Sequence, residues 1–148
     1  MDSAGIIKGN TANGCGYGSE CSPSGTVRGV CPQGWHLPSY DEWKTLFNAV
    51  GGSSTAGIKL KSTSGWNWNE YEDKDGNGDD AFGFSTLPAG YWHADLSYKG
   101  EGQGAHFWSS TEGSGGNAYK MYSVYYKDFV NSQSSDKNMR ISVRCLKD

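Results

Sequence analysis

The chain reads as an α+β domain in which two helices near the start precede a set of short antiparallel strands. Three features of the 148-residue sequence point there. Ser39-Tyr40-Asp41-Glu42 is a capping box, and Trp43, Leu46, Phe47 and Val50 follow it as one stripe of an amphipathic helix. From Ser62 onward the texture changes to strand formers bounded by Gly-rich turns. The composition completes the picture: 22 Gly, 6 Trp, 9 Tyr and 5 Phe, with only 35% hydrophobic residues, which excludes the Ala-, Leu-, Glu- and Lys-rich helical bundle.

Residues 1–30 are turn-rich (Asn13-Gly14, Ser24-Gly25) and are expected to wrap the domain as irregular chain. Pro38 precedes the first helix, and Gly51-Gly52 stops it. A second helix is expected over Ser54–Lys61, where Ala56, Ile58 and Leu60 are available for burial and Gly57 weakens the pattern. Phe82–Pro88 and Ala105–Thr111 read as strands, Tyr119–Tyr126 is a run of strand formers, and Ile141–Leu146 alternates at period two. Gly90–Gly104 and Gly113–Gly116 are long for hairpin turns and are expected as binding loops. Each buried ring removes about 150–250 Å² from water, so Trp35, Trp43, Phe84 and Trp108 are the expected core anchors. One domain, residues 1–148, accounts for the whole length.

The charge of −3, with 13 Lys and Arg in all, argues against general nucleic-acid binding. No apolar run approaches a membrane span, so no insertion is expected from this chain. The cysteines lack paired zinc-ligand spacing. Their even number suits two disulfides in an oxidising compartment, Cys15–Cys21 within a Gly-rich loop and Cys31–Cys145 from the start of the fold to its last strand. Four reduced thiols in a cytosolic protein are the alternative. Met1-Asp-Ser-Ala lacks the basic start and apolar stretch of a secretory signal, so an exported protein would be represented here by a mature or excised domain.

Asp73-Lys-Asp75-Gly-Asn77-Gly78-Asp79 matches the first half of a calcium loop, with oxygen ligands at alternate positions. Phe84 stands where an EF-hand places its bidentate Glu, so the segment is not an EF-hand. It is either a lone calcium site built from Asp73, Asp75, Asn77 and Asp79 or a solvated acidic turn with Asx-type caps. No other cofactor is indicated. The histidines, His36, His93 and His106, are scattered, and His36 in Gly34-Trp35-His36-Leu37-Pro38 reads as structural. There is no Gly-x-Ser-x-Gly elbow and no phosphate loop, so no enzyme is expected from the residues alone.

An aromatic and polar surface remains. In a half-buried strand over Tyr119–Tyr126, Lys120 argues that the even-numbered set faces solvent and leaves Tyr122 and Tyr126 exposed; burial of both sets between layers is the alternative. Exposed Tyr and Trp supply large contact area at low entropy cost.

Four motifs occur together in collinear order: Cys31-Pro-Gln-Gly-Trp35-His36-Leu37-Pro38-Ser39 with Glu42-Trp43, Phe82-Gly-Phe84-Ser-Thr-Leu87-Pro-Ala-Gly90, Phe107-Trp108-Ser-Ser-Thr-Glu112, and Ser142-Val-Arg-Cys145-Leu-Lys-Asp148. Over nearly the whole chain they resemble the Fibrobacter succinogenes major paralogous domain. That resemblance implies a C-type lectin-like fold of the kind shared with formylglycine-generating enzymes, two helices packed on a small twisted antiparallel sheet with long loops. It also implies a secreted or surface-displayed bacterial or phage protein. The enzyme branch of that fold needs a close cysteine pair near the C-terminal end, where this chain has only Cys145. The Glu-Pro-Asn, Gln-Pro-Asp and Trp-Asn-Asp tripeptides of calcium-dependent sugar binding are absent.

In some proteins resembling this one, a retroelement diversifies the C-terminal segment by randomising adenines. Between Glu112 and Ser142 this chain is rich in residues reachable that way from an Asn codon, which marks 113–141 as a candidate variable ligand-binding segment. The expectation is therefore a non-catalytic adhesin or receptor-binding module for a protein or glycan ligand. Trp92, Tyr98, His106, Tyr122, Tyr126, Phe129, Gln133 and Met139 are its expected contacts. The rivals are an oxidase on the formylglycine-generating scaffold and a structural surface-layer module.

Overall fold

The computed structural model describes residues 20, 21 and 23–148. Cys15, and with it the expected Cys15–Cys21 pairing, lies outside the described residues, as does most of the expected N-terminal wrap. Residues 23–34 are irregular and deliver the chain to β1, Trp35–His36.

Helix α1, Tyr40–Ala49, starts where the sequence places it. The Ser39 hydroxyl accepts from Glu42 N–H, while the Glu42 carboxylate accepts from Ser39 N–H at 2.8 Å, so two otherwise orphaned donors are satisfied reciprocally. The apolar stripe then turns Trp43 and Phe47 inward. Helix α2, Ser53–Leu60, buries Ala56, Gly57 and Leu60. Gly57 is required by close approach: a Cβ there would stand 2.4 Å from the Asp128 carbonyl oxygen and 2.5 Å from that of Phe129.

Two small hairpins follow, β2 (Trp68–Asn69) with β3 (Lys74–Asp75), and β4 (Ala89–Trp92) with β5 (Tyr98–Glu101). The main sheet is antiparallel in the order β6 (Gly104–Glu112), β7 (Asn117–Val124), β8 (Asn131–Asp136). The last strand, β9 (Leu146–Lys147), returns to pair with β1, and the Cys31–Cys145 disulfide joins the same two ends with 5.8 Å between Cα atoms.

The two faces of the main sheet carry separate cores. Met121 and Val130 pack with Trp43, Phe47, Val50, Ala56 and Leu60 on the helix side. Trp108 and Ala118 pack with Cys31, Leu37 and Met139 on the other. The two helices and the strand over 105–111 thus match the sequence-based expectation, and the strand expected over 119–126 is found as far as Val124, with Tyr125 and Tyr126 in the turn that follows.

Other expectations are corrected. Phe82–Pro88 is not a strand: positive φ at Gly83 (66°) and Ser85 (54°) breaks it, and Asp80 accepts from Ser85 N–H. Only Thr86 makes a bridge, to Lys61, while Phe82 and Leu87 are exposed. Ile141–Leu146 is not continuous either; Arg140 bridges Trp92, Ser142 bridges Phe107, and only Leu146 belongs to a strand. Gly90–Gly104 contains the β4–β5 hairpin instead of one open loop. Trp35 is 39% exposed, because alternation in β1 turns His36 inward and Trp35 outward. Phe84 is half-buried, with its ring edge-on to Trp43 and under the Arg144 guanidinium at 4.3 Å.

Candidate functional site: an aromatic face around Lys120

Strand register fixes which side chains share the face of the main sheet opposite the helices. His106 pairs with Tyr122, which pairs with Asn131; the next row is Trp108, Lys120 and Gln133. The register puts each row on one face, because opposed residues in an antiparallel ladder point the same way. The His106 and Tyr122 rings stack with centroids 6.0 Å apart. Gly104 lets the imidazole lie down on the strand, since a Cβ there would stand 2.9 Å from His106 Nε2.

The β4–β5 hairpin covers part of this face with Tyr91. Its ring meets His106 edge-on at 4.8 Å, lies 6.4 Å from the His93 ring, and carries Lys120 Nζ 5.5 Å above its centroid. Lys120 is only 6% exposed, and burial pushes its ammonium pKa down. Among the described residues no carboxylate pairs with it and no oxygen accepts from it. A cation–π contact contributes about 0.5–2 kcal/mol, against several kcal/mol to bury an ammonium. His106 is pushed down to about 4, first by burial and then by the Lys120 charge, so it is neutral near pH 7. Its Nδ1 and the Nε1 of Trp108 are the sealed side-chain polar atoms without a partner among the described residues. Each such orphan costs about 1–3 kcal/mol.

The other buried cations among the described residues are provided for. Lys61 Nζ donates to the carbonyls of Gly76 and Lys127, at 3.2 and 2.8 Å, and stands over the Trp66 ring. Lys137 pairs with Glu112, both buried. His36 bridges Asp148 (2.7 Å) and Glu42 (3.0 Å), the structural role expected of it.

The expected contacts divide accordingly. His106, Tyr122 and Gln133 come together on the Lys120 face. Trp92 and Tyr98 form a separate cross-strand ring pair, 6.0 Å between centroids and both exposed. Tyr126 lies past the end of β7 against Tyr125 and Tyr71, and Phe129 lies beside Gly57. The expected exposure is corrected for His106 and Met139, which are 9% and 8% exposed: the first lies under Tyr91, the second in the Trp108 cluster. It is corrected too for the even-numbered set of β7, since Lys120 is buried and Tyr122 half-buried between sheet and hairpin.

Hydrogen bonds within the acidic turn and to Trp66 hold its shape. Asp75 accepts from Asn77 N–H at 3.0 Å, and the Asn77 side-chain oxygen accepts from Trp66 N–H at 3.1 Å. Among the described residues no group of three or more His, Cys, Asp or Glu is placed to hold a metal, so Asp73, Asp75 and Asp79 form no such group. Tyr91 was not legible as a site residue, because nothing in the sequence says that the 90–104 insert folds back over β6.

The arrangement defines an α+β domain with a ring-lined, singly cationic sheet face. The chain belongs to the Fibrobacter succinogenes major domain family, which it matches over residues 8–147. No curated protein matches it. No solved structure matches it either.

Proposed function

We propose that this chain is a non-catalytic ligand-binding module of adhesin or receptor-binding type, displayed on a bacterial or phage surface. One observation carries the reading: Tyr122, Asn131 and Gln133 line one sheet face beside the Tyr91–His106 contact, with the exposed Trp92–Tyr98 pair on the neighbouring hairpin. Rings with adaptable amides are the composition of a recognition surface. Two helices against a small antiparallel sheet, with long loops, support the C-type lectin-like assignment that the motifs imply. The Cys31–Cys145 bridge supports an oxidising, extracytoplasmic setting, and among the described residues no helix is long and apolar enough to cross a membrane. Residues 113–141 supply β7 and β8, which supports reading them as a variable segment on a constant frame.

The test is a glycan and protein array probed with the labelled chain, repeated with Tyr122→Ala and Gln133→Ala combined. A ligand bound by the natural chain and lost by the folded double variant supports the proposal. Concentration-dependent self-association without any heterologous ligand would favour a surface-layer module. Copper binding with oxygen consumption would favour the oxidase.

A further inference from the structure

We propose that the face formed by Tyr91, His106, Lys120 and Tyr122 binds a carboxylate group, with Lys120 as its counter-ion. This rests on reading the face as a ligand surface and adds the chemistry of the group held there.

The argument is a comparison within the molecule. Among the described residues three lysines are nine-tenths buried or more: Lys61, Lys120 and Lys137. The fold gives Lys61 two carbonyl acceptors and Lys137 a carboxylate. Lys120 receives only the face of the Tyr91 ring, with no acceptor among the described residues. A lysine needed only for packing could be replaced by an apolar side chain at no electrostatic cost, so an unmatched ammonium held among rings is a feature of recognition. Its Nζ is not among the sealed, unpartnered atoms, so this unpaired group meets solvent.

The charge count then selects the ligand. His106 beside it is neutral near pH 7, so the spot carries one positive charge. A monoanion matches that charge; a phosphate dianion would bring a second charge into a ring-walled site with nothing to meet it. At the hairpin, Asp95 is already held by Lys99 and Ser97, so it does not compete with a ligand for the ammonium. A carboxylate is planar and accepts charge-assisted hydrogen bonds from an ammonium. Its carbon chain or sugar ring would rest on Tyr91 and Tyr122.

Titration of the ¹⁵N-labelled full chain tests this. The probes are N-acetylglutamate α-amide and glucuronate, both monoanions at neutral pH, each against its uncharged counterpart (N-acetylglutamine α-amide and glucuronamide), with inorganic phosphate alongside. The expected result is a saturable shift of the Trp108 indole N–H and the Lys120 amide with one or both acids. The amides should give none, and phosphate one at least about tenfold weaker. Which acid binds distinguishes an acidic side chain from a sugar acid as the source. Lys120→Met should lose the shift with its unfolding midpoint unchanged or raised; if it does not fold, the acid-against-amide comparison decides alone. Equal response to acid and amide, no response to either acid, or an unchanged shift in folded Lys120→Met overturns the inference. An array ligand without a carboxylate would sink this inference and leave the surface reading intact. Carboxylate binding that folded Lys120→Met loses, with no array ligand, would do the reverse.

Discussion

The Tyr91 ring stands edge-on to the His106 imidazole at 4.8 Å and at the same time lies beneath Lys120 Nζ at 5.5 Å. One ring from the hairpin thus packs against two titratable groups of the main sheet. Removing it admits water to both. In Tyr91→Ala the His106 pKa should rise from about 4 by at least about one unit toward its ordinary 6.5, read from the imidazole proton shifts. A His106 that titrates identically in both proteins would show that Tyr91 is not its cover.

The depressed value also sets an acid limb. A histidine held neutral in the fold contributes stability above its ordinary 6.5 that is lost as pH falls toward 4, on the order of 3 kcal/mol in all. His106→Gln removes the titrating group, so its urea-unfolding free energy should fall less steeply over that interval than that of the natural chain. Parallel curves would refute the assignment.

His36 works in the opposite sense. Burial alone would lower its pKa, but hydrogen bonds to Asp148 and Glu42 outweigh it and raise the value. Its contribution is complete below the ordinary 6.5 and fades as pH rises through the folded value. The bridge links the α1 cap to the chain end beside β9, so His36→Gln should flatten the loss of stability on the basic side of neutrality. Thermal unfolding from pH 6 to 9 reads this out; an unchanged basic limb would contradict it.

How much of this was legible in the sequence depends on whether the signal was local. The α1 boundary was, because Ser39 and Glu42 satisfy each other within one turn. The strand over Ala105–Thr111 was also legible, since its residues are strand formers within one run. Strand β8, Asn-Ser-Gln-Ser-Ser-Asp, was not: it has no apolar alternation and exists because Ala118, Lys120 and Tyr122 offer it a ladder. The reading of Lys120 failed for a related reason. A lysine in a strand ordinarily marks the wet face, and only the fold-back of the β4–β5 hairpin turns that face inward. The functional surface is therefore the part least visible from the chain, because long-range packing makes it.

Gly57 offers a direct test of the helix packing. Its α-carbon abuts the carbonyls of Asp128 and Phe129, and Ile58 N–H donates to Asp128 at 3.1 Å. Gly57→Ala gains helix propensity yet must push rigid backbone aside, and overpacking of this kind costs about 1–3 kcal/mol. The net effect should be destabilising by calorimetry. A stabilised variant would mean that the 128–129 segment moves freely away from α2.

The last prediction concerns variation in 113–141. If this segment is a variable surface on a constant frame, its two kinds of position must separate. Ala118, Met121, Val130 and Met139 are buried in the two cores, where changes of volume cost stability. Tyr122, Asn131, Gln133 and Arg140 are half-buried or exposed, and changes there leave the cores intact. Sister copies from the same locus should therefore differ at the second set and agree at the first. Substitutions spread evenly over both sets, or a locus with neither a near-copy template repeat nor a reverse transcriptase, would rule out retroelement diversification of this face.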